Sequence, residues 1–308
     1  MQRRKPLREK RKKGKNKLMY AIVAVTLIFI FFLAYSLLPK NPSSNNHTSP
    51  PKAALIDHLS FSSPPPNETF KALCKTILKN AGFSYTYHGG EEVTVDFYKK
   101  LPTYGYSLMI LRVHSAVIEY EGNRTDLIGL FTSTPCNNIT MSKYSFEINE
   151  GRLAQAQLLK ENDTYYFGIT PLFVQSDSMI GNFKDTVIIM MGCEGLNRTT
   201  MADAFVHWKK AKVYISWTGP VTVSHTDDAT IRLLQSLLQQ NQTIKAAVDG
   251  ISHDPVWTWS RLDYYPKDVG NKVLQDFISG LTLTITEMGV VCYKVCLLSS
   301  SKRFEAMK

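Results

Sequence analysis

What this 308-residue chain lacks is a surplus of charge in the part long enough to fold. The net charge is +10, but residues 1–17 hold ten Lys/Arg against the single acid Glu9, so everything after them carries only +1. A nucleic-acid surface needs clustered cations to displace counterions from phosphate, and the bulk of the chain has none to spare. No nucleic acid is therefore expected as a partner. Cysteine is scarce too: Cys74, Cys136, Cys193, Cys292 and Cys296, an odd number. In an exported protein these allow up to two disulfides and leave one thiol over. Cys292 and Cys296 have no second cysteine pair or histidine cluster beside them, which argues against zinc. No metal and no cofactor are expected.

The basic tail leads directly into what the chain does have. Leu18 to Leu38 contains 21 residues and no charge. At about 1.5 Å per residue that is enough to cross a hydrocarbon core of about 30 Å. A cleaved signal peptide has a shorter apolar region and a small-residue cleavage site, and Leu37-Leu38-Pro39-Lys40 is a poor one. The segment reads as an uncleaved signal anchor. Ten cations before it put the N-terminus in the cytoplasm and the rest of the chain outside the cell membrane. Seven Asn-x-Thr triplets all lie beyond the anchor, at Asn46, Asn67, Asn123, Asn138, Asn162, Asn197 and Asn241. Chance would supply about two, so they point to an exported, N-glycosylated domain.

The expected order is a cytoplasmic tail (1–17), a single-pass anchor (18–38), a polar stalk (39–52), an ectodomain (53–260) and a C-terminal extension (261–308). Within the ectodomain, Ala53–Leu59 reads as a strand. Asn67 caps a helix carrying Phe70, Leu73, Cys74, Ile77 and Leu78 on one face, and Gly82 ends it. Phe83–Tyr87 is a second strand, Val95–Leu101 a short helix, and Tyr106–Val113 a third strand. Strands alternating with helices imply a parallel sheet with right-handed crossovers. From about 120 to 180 the pattern changes to antiparallel strands, at Leu127–Phe131, Ser145–Ile148 and Tyr165–Val174, an insertion in the sheet. The sheet resumes at Asp185, followed by a helix from Thr199 or Thr200, the strand Lys212–Trp217 and a helix over Asp227–Gln240.

Two strand ends carry chemistry. Val187–Met191 is a continuous apolar run, the pattern of a strand buried on both faces, and it ends in Gly192-Cys193-Glu194-Gly195. The strand before the insertion ends in His114. Ligands and reacting groups of open α/β sheets gather at the carboxyl ends of strands. A thiol and an imidazole there form a nucleophile–base pair, against the plainer reading of a buried structural thiol and a core histidine. His88, beside Gly89-Gly90, is the rival histidine; His207 follows Cys193 on a helix.

Residues 53–250, and above all 183–238, resemble the caspase-type cysteine peptidases of the caspase–haemoglobinase fold, which include caspases, metacaspases, gingipains, separases and CHAT domains. The likeness rests on the order Asp185-Thr-Val-Ile-Ile-Met-Met-Gly-Cys-Glu-Gly, Met201-Ala-Asp-Ala-Phe, Ala211-Lys-Val-Tyr-Ile-Ser-Trp-Thr-Gly-Pro-Val and Thr226-Asp-Asp-Ala-Thr. It implies an α/β fold: a caspase-like three-layer sandwich with a mainly parallel central sheet, to which this chain adds the antiparallel insertion and one N-terminal transmembrane helix. It further implies that Cys193 is the nucleophile and His114 the general base, with an oxyanion hole of backbone N–H groups at Cys193, Ser115 and Gly192. Substrate pockets would involve Ser216, Trp217, Asp227 and Asp228, the two acids favouring a basic residue before the scissile bond. The implied partner is a peptide or protein substrate, beside the bilayer that holds residues 18–38. Composition and sequons fit an archaeal surface protein.

The chain departs from the family in three ways. Ser115 stands where the family usually has Gly, the His114-to-Cys193 interval of 79 residues is long, and the Asn197 sequon lies close behind the thiol. The long interval requires the insertion; Ser115 and the Asn197 sequon favour the alternative, an inactive caspase-fold ectodomain that serves as a surface binding module, whereas the intact His114/Cys193 pair favours the peptidase. Either way, protease added to intact cells expressing the chain is expected to degrade residues 53–308. Degradation only after lysis would reverse the topology.

Overall fold

The computed structural model describes residues 49–61, 67–157, 164–279 and 281. Two compact units are distinguished, Met1–Ser49 and Pro50–Lys308, and the description concerns the second. The anchor Leu18–Leu38, Asn46, Asn162, Cys292 and Cys296 lie outside the described residues, as do most of the stalk and of the C-terminal extension. Among the described residues no helix is long and apolar enough to cross a membrane.

The first half of the main sheet forms as the strand–helix alternation predicts. Strand β1 (Lys52–Asp57) is followed by helix α1 (Glu68–Asn80), whose N-terminus is capped by Asn67 Oδ1 accepting from the Phe70 N–H at 3.0 Å. Strand β2 (Ser84–Gly89), helix α2 (Val95–Lys100) and strand β3 (Leu108–Arg112) come next, with β2 and β3 both parallel to β1. Gly82, at φ +88, supplies the left-handed residue just past the end of α1.

The insertion starts earlier than the sequence suggests. Strands β4 (Ser115–Tyr120), β5 (Asn123–Pro135), β6 (Leu153–Gln157) and β7 (Tyr165–Ile169) form a separate antiparallel sheet in the order β4-β5-β7-β6. Between β5 and β6 lie helices α3 (Asn138–Lys143) and α4 (Ser145–Asn149). The latter corrects the strand expected at Ser145–Ile148. Its alternation is inverted: Glu147 is the buried residue, paired with Lys99 Nζ at 2.5 Å, while Phe146 faces solvent beneath the Arg152 guanidinium. The strand expected to run from Tyr165 to Val174 stops at Ile169, where Thr170 caps helix α5 (Pro171–Gln175) with proline in its first turn.

The main sheet is completed by β8 (Val187–Met190) and β9 (Val213–Trp217), both parallel, and by β10 (Leu262–Tyr265), which pairs antiparallel with β9 at the edge. The order is β2-β1-β3-β8-β9-β10. Helix α6 (Thr200–Asp203), extended by a π turn through Trp208, joins β8 to β9. Helices α7 (Val223–Leu238) and α8 (Ile244–Asp249) join β9 to β10. The chain is therefore a mixed α/β protein with a mainly parallel sheet and a second, antiparallel one.

Alternate residues of each central strand serve two cores. Leu55, Ile110, Ile189 and Ile215 pack with α1, α7 and α8 on one face. Ile56, Leu111, Ile188 and Tyr214 pack on the other with α2, α5, α6 and the inner face of the antiparallel sheet. Period-two alternation with both faces apolar is why β8 reads as an unbroken hydrophobic run.

One polar cluster interrupts these cores. Arg112, 1 % exposed at the end of β3, donates from Nη1 to Asp57 Oδ1 at 2.8 Å. It also forks onto Asp227, Nε to Oδ1 at 2.8 Å and Nη2 to Oδ2 at 2.9 Å. Asn67 Nδ2 adds a third donor to Asp227, at 2.9 Å. The cluster joins β1, β3, α7 and the cap of α1. Arg112→Met is expected to destabilise the purified chain by about 3–5 kcal/mol in urea titration, because two buried carboxylates lose their cation. The same substitution in an Asp57→Asn, Asp227→Asn background is expected to cost clearly less.

Candidate functional site

The site stands where β3 and β8, neighbours in the middle of the sheet, run out. Leu111 is in register with Met190, so the residues that follow both strands emerge at the same carboxyl edge. His114 is two residues past β3 and immediately precedes β4, which makes it the joint between the two sheets. Its carbonyl accepts from the Phe131 N–H of β5 at 3.0 Å. Cys193 is three residues past β8. The two segments touch through the neighbour of the histidine: Ser115 Oγ donates to the Cys193 carbonyl at 2.6 Å.

Close packing explains the glycine before the thiol. A Cβ on Gly192 would lie 2.3 Å from Ser115 Oγ and 2.4 Å from the Val113 carbonyl, closer than any side chain tolerates. After the cysteine the backbone turns through Glu194 at φ +58, an unusual left-handed conformation for a residue with a side chain. That turn is held from two sides. The Glu194 N–H donates to the Gly219 carbonyl at 2.9 Å, and its carboxylate receives Arg124 Nη2 from β5, 3.1 Å from each oxygen.

The thiol rests against the loop after β9. Cys193 Sγ lies 3.7 Å from the Val221 carbonyl and accepts from the Val221 N–H at 3.5 Å. Burial pushes its pKa up. The Val221 contact opposes that shift, and the charges of Glu194 and Asp254 add to it. The sulfur is therefore a thiol at neutral pH unless a base removes its proton. Cys74 and Cys136 are also free thiols, the first fully buried on α1.

The three backbone donors expected for an oxyanion hole are not equivalent. Gly192 N–H points at Met190 Sδ, 3.0 Å away. Ser115 pairs with Leu130 next to the hydrogen-bonded His114–Phe131 pair, so alternation of the ladder turns the Ser115 N–H away from β5. Since β4 is an edge strand, that amide is not used by the sheet.

The expected substrate residues are placed differently. Ser216 is completely buried, and its Oγ donates to the Met190 carbonyl at 2.8 Å. Trp217 is core: its Nε1 donates to Thr226 Oγ1 at 2.9 Å, and Thr226 donates on to the Met191 carbonyl. Asp227 is buried beneath Arg112, and both its oxygens are occupied; only Asp228 is exposed. A basic side chain would therefore find the Asp227 charge already neutralised. Among the histidines, His88 bonds Glu92 and Tyr106, each at 2.8 Å, and His207 bonds Tyr265 at 2.9 Å. Of the sequons, Asn123, Asn138, Asn197 and Asn241 are exposed. Asn67 is half-buried, and its amide nitrogen, the atom a glycan needs, is donated to Asp227.

One residue of the site escaped the sequence reading. His58 directly follows β1, is 1 % exposed, and sets its ring edge-on to His114, 6.1 Å between centroids. Its Nδ1 is buried with no hydrogen-bond partner among the described residues. The signal was available, since His58 ends a parallel strand just as His114 and Cys193 do. No protein-family model matches the chain, and no curated protein matches its sequence.

Burial, then the nearby His114, pull the His58 pKa down from 6.5 to about 4, against a raising bond to the Thr132 backbone. The folded state therefore binds fewer protons than the unfolded state between those values. Stability present above pH 6.5 is expected to fall by about 3 kcal/mol as the pH drops to 4. His58→Gln should flatten that slope in urea titrations across the same window.

Proposed function

We propose that the chain is a membrane-anchored, extracytoplasmic cysteine endopeptidase of the caspase-like type, its domain a three-layer sandwich around the parallel sheet. The observation that carries this reading is the meeting of His114 and Cys193 segments at the carboxyl ends of adjacent central strands, joined by the Ser115–Cys193 hydrogen bond. The helix α6 and strand β9 that follow the cysteine agree with the family order, and the antiparallel sheet accounts for the long interval between the two residues.

In this mechanism His114 takes the proton of the Cys193 thiol, which burial otherwise keeps protonated, and the thiolate attacks the substrate carbonyl. The imidazolium then gives its proton to the departing amine, and water attacks the thioester to release the acid and restore the thiol. The Ser115 and Cys193 amides are the donors for the tetrahedral oxyanion; loss of one such donor in other enzymes costs about 2.7–4 kcal/mol. Gly192 would join them only after its N–H leaves Met190 Sδ. Bilayer anchorage through residues 18–38 and glycans at the exposed sequons complete the proposal. The occupied amide of Asn67 makes it the poorest acceptor of the described sequons.

The second reading, an inactive caspase-fold ectodomain acting as a binding module, draws on the raised thiol pKa and the Gly192 amide turned to sulfur. Labelling by a thiol-reactive peptide electrophile, read by mass spectrometry on the Cys193 peptide, separates the two. For the peptidase, Cys193 of the full chain reacts faster than a free thiol near neutral pH. His114→Ala lowers that rate by about 10²–10⁴-fold and shifts its rise to alkaline pH. Equal rates in wild type and His114→Ala would remove the peptidase reading.

A further inference from the structure

Large apolar side chains left in water on an ordered loop mark a contact surface when they adjoin a reactive group. The segment Ser252–Arg261 between α8 and β10 has this character. Val256 is 64 % exposed, Trp257 36 % and Trp259 59 %. Yet the segment is fastened along its length. Asp254, itself fully buried, accepts the Val256 and Trp257 N–H groups on Oδ1 at 2.8 and 2.9 Å. Its other oxygen, Oδ2, accepts the Thr222 N–H at 2.8 Å and hydroxyl at 3.0 Å. The Ser260 N–H closes onto the Trp257 carbonyl at 2.7 Å, and the Asp254 N–H onto the Ser260 carbonyl at 3.1 Å.

Thr222 belongs to the loop that holds the thiol, so Asp254 ties the two tryptophans to the support of Cys193. A second tie is steric. The ring of Trp259 lies flush on Gly219, where a Cβ would fall 2.3 Å from Cζ3 and 2.5 Å from Cη2. Gly219 in turn receives the Glu194 N–H, and Val221, two residues on, brackets the sulfur. Trp259 therefore lies against the backbone that supports Cys193, with Trp257 exposed on the same fastened segment, while Asp227, one of the two acids expected to select substrate, is buried under Arg112.

We infer that Trp257 and Trp259 form a binding subsite for an apolar side chain, aromatic or leucine-like, carried by the peptide next to the scissile bond. This selects the substrate class by hydrophobic contact where charge recognition by Asp227 is closed. The inference rests on the peptidase reading for the meaning of the bond, but this tryptophan wall is a binding surface in its own right and is tested as one.

The test uses the full chain in detergent and two electrophilic peptides that differ only in Phe or Ser beside the residue bearing the electrophile. Wild type is expected to be labelled at Cys193 about tenfold or more faster by the Phe probe. The Phe/Ser rate ratio should collapse toward one in Trp259→Ala, recover in Trp259→Phe, and persist in Trp208→Ala, a control at an exposed tryptophan on the turn after α6. A ratio near one in wild type, or one unchanged by Trp259→Ala, overturns the inference. Titration of Cys193→Ala with the unreactive Phe peptide, read by tryptophan fluorescence, keeps the two readings apart. Quenching that disappears in the added Trp259→Ala variant supports the wall even where no electrophile outruns a free thiol. Fast labelling without such quenching sinks the wall and leaves the peptidase reading standing.

Discussion

The arrangement depends on one guanidinium. Arg112 lies where β1, β3, α7 and the start of α1 converge: it bonds Asp57 and Asp227, stands 5.5 Å from the centre of the Phe70 ring, and is linked to Asn67 through Asp227. Desolvating a cation and two carboxylates costs several kcal/mol per ion, and only good geometry with extra donors offsets that loss. Here the geometry is a fork onto Asp227 and a single bond to Asp57. Tyr87 and the Ser60 N–H reach the remaining lone pairs of Asp57, at 3.3 and 3.2 Å. The return is positional. Arg112 is two residues before His114, Asp57 one before His58, and Asp227 one after Thr226, which holds the Met191 carbonyl. Three elements that deliver site residues are thus set against each other at one point, immediately beneath the edge where those residues emerge.

Above that point the site is shared between two sheets. The thiol turn belongs to the parallel sheet but is gripped by Arg124 from the antiparallel one, and His114 is the residue at which the chain passes from one sheet to the other. The insertion is therefore built into the site. Its contribution through Arg124 is an exposed ion pair, modest in energy and weakened by salt. Its contribution through β4 and β5 is a backbone ladder, which salt does not touch.

The parallel sheet was legible because its strands are apolar on both faces and its helices are capped and stopped by residues with clear physical roles, Asn67 and Gly82 among them. The strand-end rule located Cys193 and His114. It failed for His58 only because the first strand was read two residues too long, to Leu59, which put the histidine inside it. The antiparallel sheet was half legible. β5 and β7 carry strong alternation, whereas β6 is Leu-Ala-Gln-Ala-Gln, and β4 begins directly at the serine beside His114. Ser145–Ile148 misled because a tertiary ion pair put its acid inside. Ser216, Trp217 and Asp227 were carried over by resemblance to loop positions. Here their side chains point into the structure, and that depends on rotamers and partners, Arg112 above all, that lie far away in sequence.

Asn67 connects the fold to the order of events in its synthesis. A sugar on the Asn67 amide nitrogen would have to fit where that nitrogen now sits 2.9 Å from buried Asp227, while Oδ1 would go on capping α1. α7, which supplies Asp227, is made 160 residues later. On an exported chain, the fraction of molecules modified at Asn67 would therefore record a race between the glycosylating enzyme and the docking of α7, a clock for folding written in covalent form.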